Sequence, residues 1–377
     1  MKALRHIPLS FLLLIISSCI SNYVPNISDY EEQLVVEGLI TDQPGINTIK
    51  ISYSDQLWKS QFPRPFTGCI VSISDDLGNT YNLKETAPKG TYITDPSTFR
   101  GVAGRTYTLH VKTTTESKNF NYQSQPVKMI PVPPVDSIYY EKKVFRPSNV
   151  PVDGCNIYLN THDPSNNCIF YRWEYLETWE IHLLFDFPNK VCWVSNKSKE
   201  IKIKNASLLP EASISRLPVI TIQDPIDRLS VKYSILIKQF SLNEDEYFYW
   251  ERLKNIIDQT GGLYDVFPST IPNNIYCVED PYKEVLGYFC VSAVSTKRLF
   301  IKDNFTGANT LYNKCFSDTI FTSRPDLLEE INSGVAWIVE DNSKKVPPSV
   351  IVTYDRDCVD CRTKGTNIKP DYWDNDK

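Results

Sequence analysis

From Ile169 to Ile181 the chain reads IFYRWEYLETWEI, with aromatic and polar side chains changing places at every step. Tyr171, Trp173, Tyr175 and Glu177 alternate with Phe170, Arg172, Glu174, Leu176 and Thr178. A period of two suits a pleated strand, whereas a helix would repeat every 3.6 residues. A long strand with one aromatic face must find a sheet to join, so this stretch commits the chain to a β-rich fold. Exposed, such a ladder could stack sugars; aromatic rings on strands more often pack in a core, and core packing is expected. Composition agrees: 25 prolines against 14 glycines, with 12% aromatic residues, favour a loop-rich exported β protein over a helical bundle.

Shorter strands precede this one. Leu34–Ile40 and Thr48–Tyr53 flank Asp42-Gln43-Pro44-Gly45, a turn whose proline and glycine set the bend. Cys69–Ile73 and Thr80–Lys84 flank a second hairpin signal at Asp75–Asn79, and Gly90–Ile93 and Arg105–Val111 complete the series. Regular short strands separated by turns predict a β-sandwich over residues 31–130, of immunoglobulin-like or carboxypeptidase-regulatory-like form. His110 alternates with Leu109 and Val111 and is expected on the solvent face. Asp75 and Asp76 supply too few oxygens for calcium and read as turn residues.

The prolines of residues 131–135 make a stiff connector. A larger β-rich domain is expected over 136–377, with strands at Asp136–Tyr140, Asn156–Asn160, Leu229–Phe240, Val335–Glu340 and Ser349–Tyr354. One helix is predicted over 243–260: Ser241 and Glu244 have capping-box spacing, and Tyr247, Trp250, Leu253 and Ile257 recur on one side. It should pack across a sheet and end at Gly261-Gly262. A second short helix is expected at Pro325–Ser333. The run VLGYFCVSAV after Glu284 reads as one buried strand closed by Lys297 and Arg298.

The front of the chain has a different logic. Lys2 and Arg5 precede an apolar run from Ile7 to Ile16, followed by Ser17-Ser18-Cys19. A charged start, a short apolar region and small residues before a cut make an export signal over residues 1–18. The run is about half the roughly 20 residues needed to span a bilayer. A cysteine at the cut predicts lipid modification of Cys19, with residues 19–30 as a tether to the membrane. Losing Lys2 and Arg5 moves the net charge from −5 to −7. An acidic chain of this kind argues against nucleic acid as a partner.

Nine further cysteines lie at Cys69, Cys155, Cys168, Cys192, Cys277, Cys290, Cys315, Cys358 and Cys361. In an oxidising compartment some should pair, and the odd number leaves at least one thiol free unless it pairs between chains. Cys192, Cys277, Cys315, Cys358 and Cys361 are the disulfide candidates, with connectivity open. Cys358-Val359-Asp360-Cys361 has the spacing of a redox or zinc motif, but Asp357 and Asp360 disfavour a thiolate and no further ligand lies nearby. Disulfides tying the C-terminal segment to the body are preferred. His110, His162 and His182 fall outside any metalloprotease spacing, and no nucleophile elbow, phosphate-binding loop or dinucleotide fingerprint occurs. No catalytic residue, cofactor or metal is assigned.

Several segments taken together resemble one family. They are LVVEGLITDQPG from Leu34, VPPVDSIYY at 132–140, YSILIKQFSL at 233–242, YWERLK at 249–254, EVLGYF at 284–289, RLFI at 298–301 and DCVDCRTKGTNIKPDYW at 357–373. The chain resembles the domain of unknown function 4249 group of Bacteroidota lipoproteins along nearly all of its mature length. That resemblance implies an exported, lipid-anchored, β-rich protein often encoded beside a TonB-dependent outer-membrane transporter. It implies no activity and no catalytic residues. Ile20–Tyr23 lacks the acidic residues that follow the lipid cysteine in surface-exported lipoproteins of that group, so the face of the outer membrane is open.

The expectation is a lipid-anchored, non-catalytic partner of a TonB-dependent outer-membrane β-barrel. A surface glycan- or peptide-processing hydrolase is the alternative, because paired carboxylates assemble in space and not in sequence. An adhesive surface module is the third reading.

Overall fold

The computed structural model describes residues 32–374 apart from 55–62, 115–118, 147–148, 150, 224–226, 260–270, 307–314 and 316. It is mainly β, with 48% strand and 11% helix. Its larger sheets form two sandwiches, each with its own buried cluster.

In the first sandwich, the strands Leu34–Thr41 and Thr48–Tyr53 place Val36, Ile40, Ile49 and Ile51 on one face, buried against Val71, Ile73, Leu109 and Val111 of the opposing sheet. The turn chemistry expected at Asp75 is present: its carboxylate accepts from the Leu77 and Asn79 amides, and Arg105 pairs with both Asp75 and Asp76. His110 is half-buried and hydrogen-bonded to Ser74 at 2.8 Å.

The first sandwich is not built from residues 31–130 alone. Val285–Ser292 pairs in parallel with Leu34–Thr41, in register from Leu34↔Val285 to Thr41↔Ser292. Ile275–Cys277 adds an antiparallel edge to the other sheet beside Asn121–Ser124. Ile275, Val285, Phe289 and Val291 are all buried in the first core. The apolar run expected as one strand is therefore two. After Ala293 the backbone leaves the first sandwich, and Val294–Ile301 pairs with Lys232–Leu242 of the second. Lys297 and Arg298 lie within that strand and do not close it.

The second sandwich sets a three-stranded sheet, Val135–Phe145, Val152–Thr161 and Ile214–Ile222, against the sheet of Phe170–His182, Lys232–Leu242 and Val294–Ile301. The aromatic ladder faces this core: Tyr171 and Trp173 are buried and stacked with centroids 5.5 Å apart. Gln239 is fully buried and secures the connector, donating to the Pro133 carbonyl and to Thr161 while accepting from the Trp173 indole.

The outer face of the Phe170–His182 sheet is covered at one end by the Glu244–Gln259 helix. Phe170, Phe240, Leu242, Tyr247 and Val294 form that contact. The helix cap differs from the expected one. Asn243 caps it, its side-chain oxygen accepting from the Glu246 amide at 2.8 Å. Ser241 instead finishes a strand; its hydroxyl donates to the Ile130 carbonyl and accepts from the Ala293 amide. Ile257, expected on the packed side, is 56% exposed. Gly261-Gly262 lies outside the described residues. A short helix, Leu327–Asn332, packs on a separate small sheet of Asp318–Phe321, Ser349–Thr353 and Trp337–Asn342.

The parallel pairing needs a residue without a side chain at Gly287. Its φ is +92°, and a Cβ there would lie 2.1 Å from the Val36 carbonyl oxygen. Gly287→Ala is expected to lower unfolding free energy by about 2–3 kcal/mol, as a strained left-handed position would. Urea denaturation checks this, through a fall in the midpoint with the slope unchanged.

Candidate functional site

The two sandwiches and the helix enclose a cleft of about 220 Å³. Its walls come from strand alternation. Val36 and Ile51 point into the first core, so Glu37 and its cross-strand partner Lys50 point outward into the cleft. Tyr171 and Trp173 point into the second core, so Arg172 and Glu174 face the helix. Tyr249 and Trp250 close it from the helix, and Tyr288 stacks on Tyr249 at 4.6 Å. A second hollow of about 310 Å³ shares Leu39, Thr48 and Glu174 with the first and extends it to Gln43, Lys238 and Phe240.

Arg172 is the centre of this joint. Its guanidinium lies 4.2 Å from the Phe240 ring centre and 4.4 Å from that of Trp250, and it forms an ion pair with Glu174. A planar, weakly hydrated guanidinium is well suited to such stacking. Glu246, in the first turn of the helix, is fully buried beside it and accepts from the Ser292 hydroxyl at 3.3 Å. Burial raises the Glu246 carboxyl above its ordinary value, and the Arg172 charge offsets only part of that. Burial also pushes the adjacent Cys290 thiol well up. A protonated thiol is a poor nucleophile. The stacked guanidinium supplies a fixed contact in the lining, and the cleft reads as a place to hold something.

Of the residues singled out in the sequence, Cys19 lies outside the described residues. Cys192 is bonded to Cys361, and Cys315 to Cys358. The two cysteines of the CxxC motif thus serve different partners. Cys277 corrects the expectation: its thiol is free. The Ile275–Cys277 strand alternates buried, exposed, buried, which turns Cys277 into the first core away from any other cysteine bonded here. Cys69, Cys155, Cys168 and Cys290 are also free.

The Cys192–Cys361 bond fastens a C-terminal strap over the far end of the outer sheet face. Trp373 is buried there, its indole donating to Glu180 at 2.8 Å and its carbonyl accepting from the Lys232 ammonium. Arg298 lies 3.6 Å over the Tyr372 ring. Beside the disulfide, Arg362 holds the Asp360 carboxyl down to about 2. Among the described residues no group of three or more His, Cys, Asp or Glu side chains is placed to hold a metal ion. His162 bonds Asp136 and His182 bonds Glu180, well away from one another in the chain.

Arg172 and Glu246 were not expected as site residues. The available signal for Arg172 was a lone cation flanked by aromatics in a buried strand. For Glu246 it was the spacing Asn243-x-x-Glu246, a second capping box offset from the one at Ser241.

Glu246 makes a pH prediction. Its folded-state value is raised, so the folded chain holds a proton that the unfolded chain releases near the ordinary glutamate value. Stability from this group is present below that ordinary value and is lost as pH rises through the folded one. Glu246→Gln should melt like the parent at pH 4 and become more stable than it as pH rises above the ordinary glutamate value. Calorimetric melting at successive pH values measures the difference.

A family model described as a domain of unknown function, DUF4249, matches residues 20–298. The match takes in both walls of the cleft and the helix; the small sheet and the strap lie beyond it. No curated protein matches the chain. On the strength of that match, covering well over half of the sequence, the chain belongs to the domain of unknown function 4249 family.

Proposed function

We propose that this protein is a lipid-anchored component of the cell envelope, held at the outer membrane through Cys19. There it acts as a non-catalytic partner of a TonB-dependent β-barrel transporter or of that transporter's cargo. The observation that carries the reading is the leader: Lys2 and Arg5, the apolar run Ile7–Ile16, then Ser17-Ser18-Cys19. Each buried methylene of an acyl chain adds about 0.8 kcal/mol, so a multiply acylated cysteine stays on a membrane where one chain would not. Leu34 begins the first strand 15 residues after Cys19, and a chain of that length reaches at most about 50 Å. The body therefore works close to the bilayer, within reach of a membrane barrel.

The cleft supports binding over catalysis. Its guanidinium is immobilised between two rings, its thiol is kept protonated, and the walls mix aromatic and charged groups. Such surfaces recognise partners through fixed contacts.

Metabolic labelling with palmitate should mark the parent protein and leave Cys19→Ser unmarked and released from membranes. Affinity isolation from detergent-solubilised membranes should then recover a β-barrel protein with the parent alone. An unlabelled parent, a Cys19→Ser variant that stays on the membrane, or isolation without a barrel would overturn the proposal.

A further inference from the structure

The chain enters its first strand at one end of the first sandwich. There Leu34 pairs with Val285, and the Gln33 side chain donates to Glu284, so the segment Val278–Glu284 lies where the tether arrives. That segment carries a locked turn. The Lys283 amide donates to the Asp280 carbonyl at 3.1 Å, and the Tyr282 amide donates to the Asp280 carboxylate at 3.2 Å. Pro281 fixes the backbone at the first corner. Tyr282, at the second corner, is 95% exposed. A rigid turn thus holds a large amphipathic ring out into the open.

The ring has apolar company. Ile70 pairs with Lys112 and Lys112 with Asn121, while the Val278 amide donates to the Asn121 carbonyl. Ile70, Lys112 and Val278 therefore share the last rung of the outer sheet face at this end. Ile70 and Val278 are each more than half exposed, and Tyr276, one rung further in on the same face, is exposed as well. The carboxylates nearby are turned to partners within the protein. Glu279 accepts from the Asn121 amide, Glu284 from Gln33, and Glu32 pairs with Arg64. Lys283 lies 4.3 Å over the Phe120 ring.

This pattern suits the headgroup layer of a bilayer. A tyrosine ring rests there with its hydroxyl wet, and lysine stems cross apolar surface while the ammonium stays in water. The tether names the occupant. From Cys19 to Glu32 the chain spans at most about 45 Å, so this end stays nearest to the lipid in which an acylated Cys19 is fixed. Tethering also raises the effective concentration of such a contact into the millimolar range. A contact too weak to hold free protein on a membrane is then made by the anchored one.

We infer that the turn Asp280–Lys283, with Ile70, Lys112, Tyr276 and Val278 beside it, is a bilayer-contact site. It seats Tyr282 among lipid headgroups and sets which way the anchored protein faces. The inference rests on lipidation at Cys19, and on neither a barrel partner nor the cleft.

The test uses full-length protein, purified with its lipid and reconstituted alone into phosphatidylcholine vesicles that carry a nitroxide in the headgroup region. An environment-sensitive fluorophore is attached at Val278→Cys, which leaves Tyr282 in place, in a background where the partly exposed Cys69 is replaced by serine. A second preparation carries it at Leu77→Cys. Leu77 is 73% exposed on the Asp75–Asn79 turn, at the opposite end of the strand that Ile70 begins. The Val278 label should lose most of its emission to the nitroxide, and the Leu77 label should keep its own. Tyr282→Ser removes a ring that packs on nothing, so the melting temperature should hold while the Val278 label recovers emission. Palmitate labelling of the same preparations reports on the anchor separately. Palmitate-marked protein with the Val278 label unquenched, quenched no more than the Leu77 label, or indifferent to Tyr282→Ser would overturn the inference and leave the anchor standing. A parent without palmitate would overturn both.

Discussion

The stretch Val285–Ile301 binds the molecule together, because its backbone hydrogen bonds belong to both sandwiches. Its first part is the parallel partner of Leu34–Thr41, and its second part pairs with Lys232–Leu242. At the changeover Ala293 would be left with unpaired backbone groups, and a buried amide without a partner is costly. Ser241 removes that cost: its amide donates to the Ala293 carbonyl, and its hydroxyl accepts from the Ala293 amide. Asp42 of the first sandwich accepts from the Val294 amide at 2.8 Å, and Gln43 donates to the Val294 carbonyl. The joint is therefore saturated with bonds from both sides, and the cleft beside it inherits a fixed geometry.

That geometry explains why the outer face of the Phe170–His182 sheet carries charges that would otherwise be unwelcome in an interior. Arg172 and Glu246 are buried under the helix, while Lys232 and Arg298 lie under the strap. Each cation is stacked on aromatic rings and bonded to an oxygen, which is how proteins make buried cations tolerable. The helix and the strap thus cover two ends of one sheet by the same device. Between the sandwiches this leaves an accessible groove with an immobile lining, suited to recognition.

Periodicity carried much of this fold in plain sight. The IFYRWEYLETWEI stretch is the strand Phe170–His182 with its aromatics in the core, and Thr48–Tyr53 has the bounds expected of it. Local chemistry was less decisive. Ser241-x-x-Glu244 and Asn243-x-x-Glu246 are equally good capping patterns, and only the demand of Ala293 for a hydrogen-bond partner selects the second. Cys277 looked available for pairing, yet strand alternation buries it. Pairing between distant segments left no mark in the sequence: EVLGYF and LVVEGL are both apolar strands, and nothing local says they lie side by side. The cleft was hidden for the same reason, since Glu37, Arg172, Trp250 and Tyr288 come from four separate segments.

The central claim is that the first sandwich exists only with the strands returned to it from residues 275–292. Ile275, Val285, Phe289 and Val291 each contribute about 1.5–3 kcal/mol on burial, together comparable with the roughly 5–15 kcal/mol that holds a whole domain folded. Residues 31–130 produced alone and followed by circular dichroism through a urea titration test this most directly. The account predicts no cooperative transition, and its restoration when residues 271–293 are supplied on the same chain. A cooperative transition from residues 31–130 by themselves would contradict it.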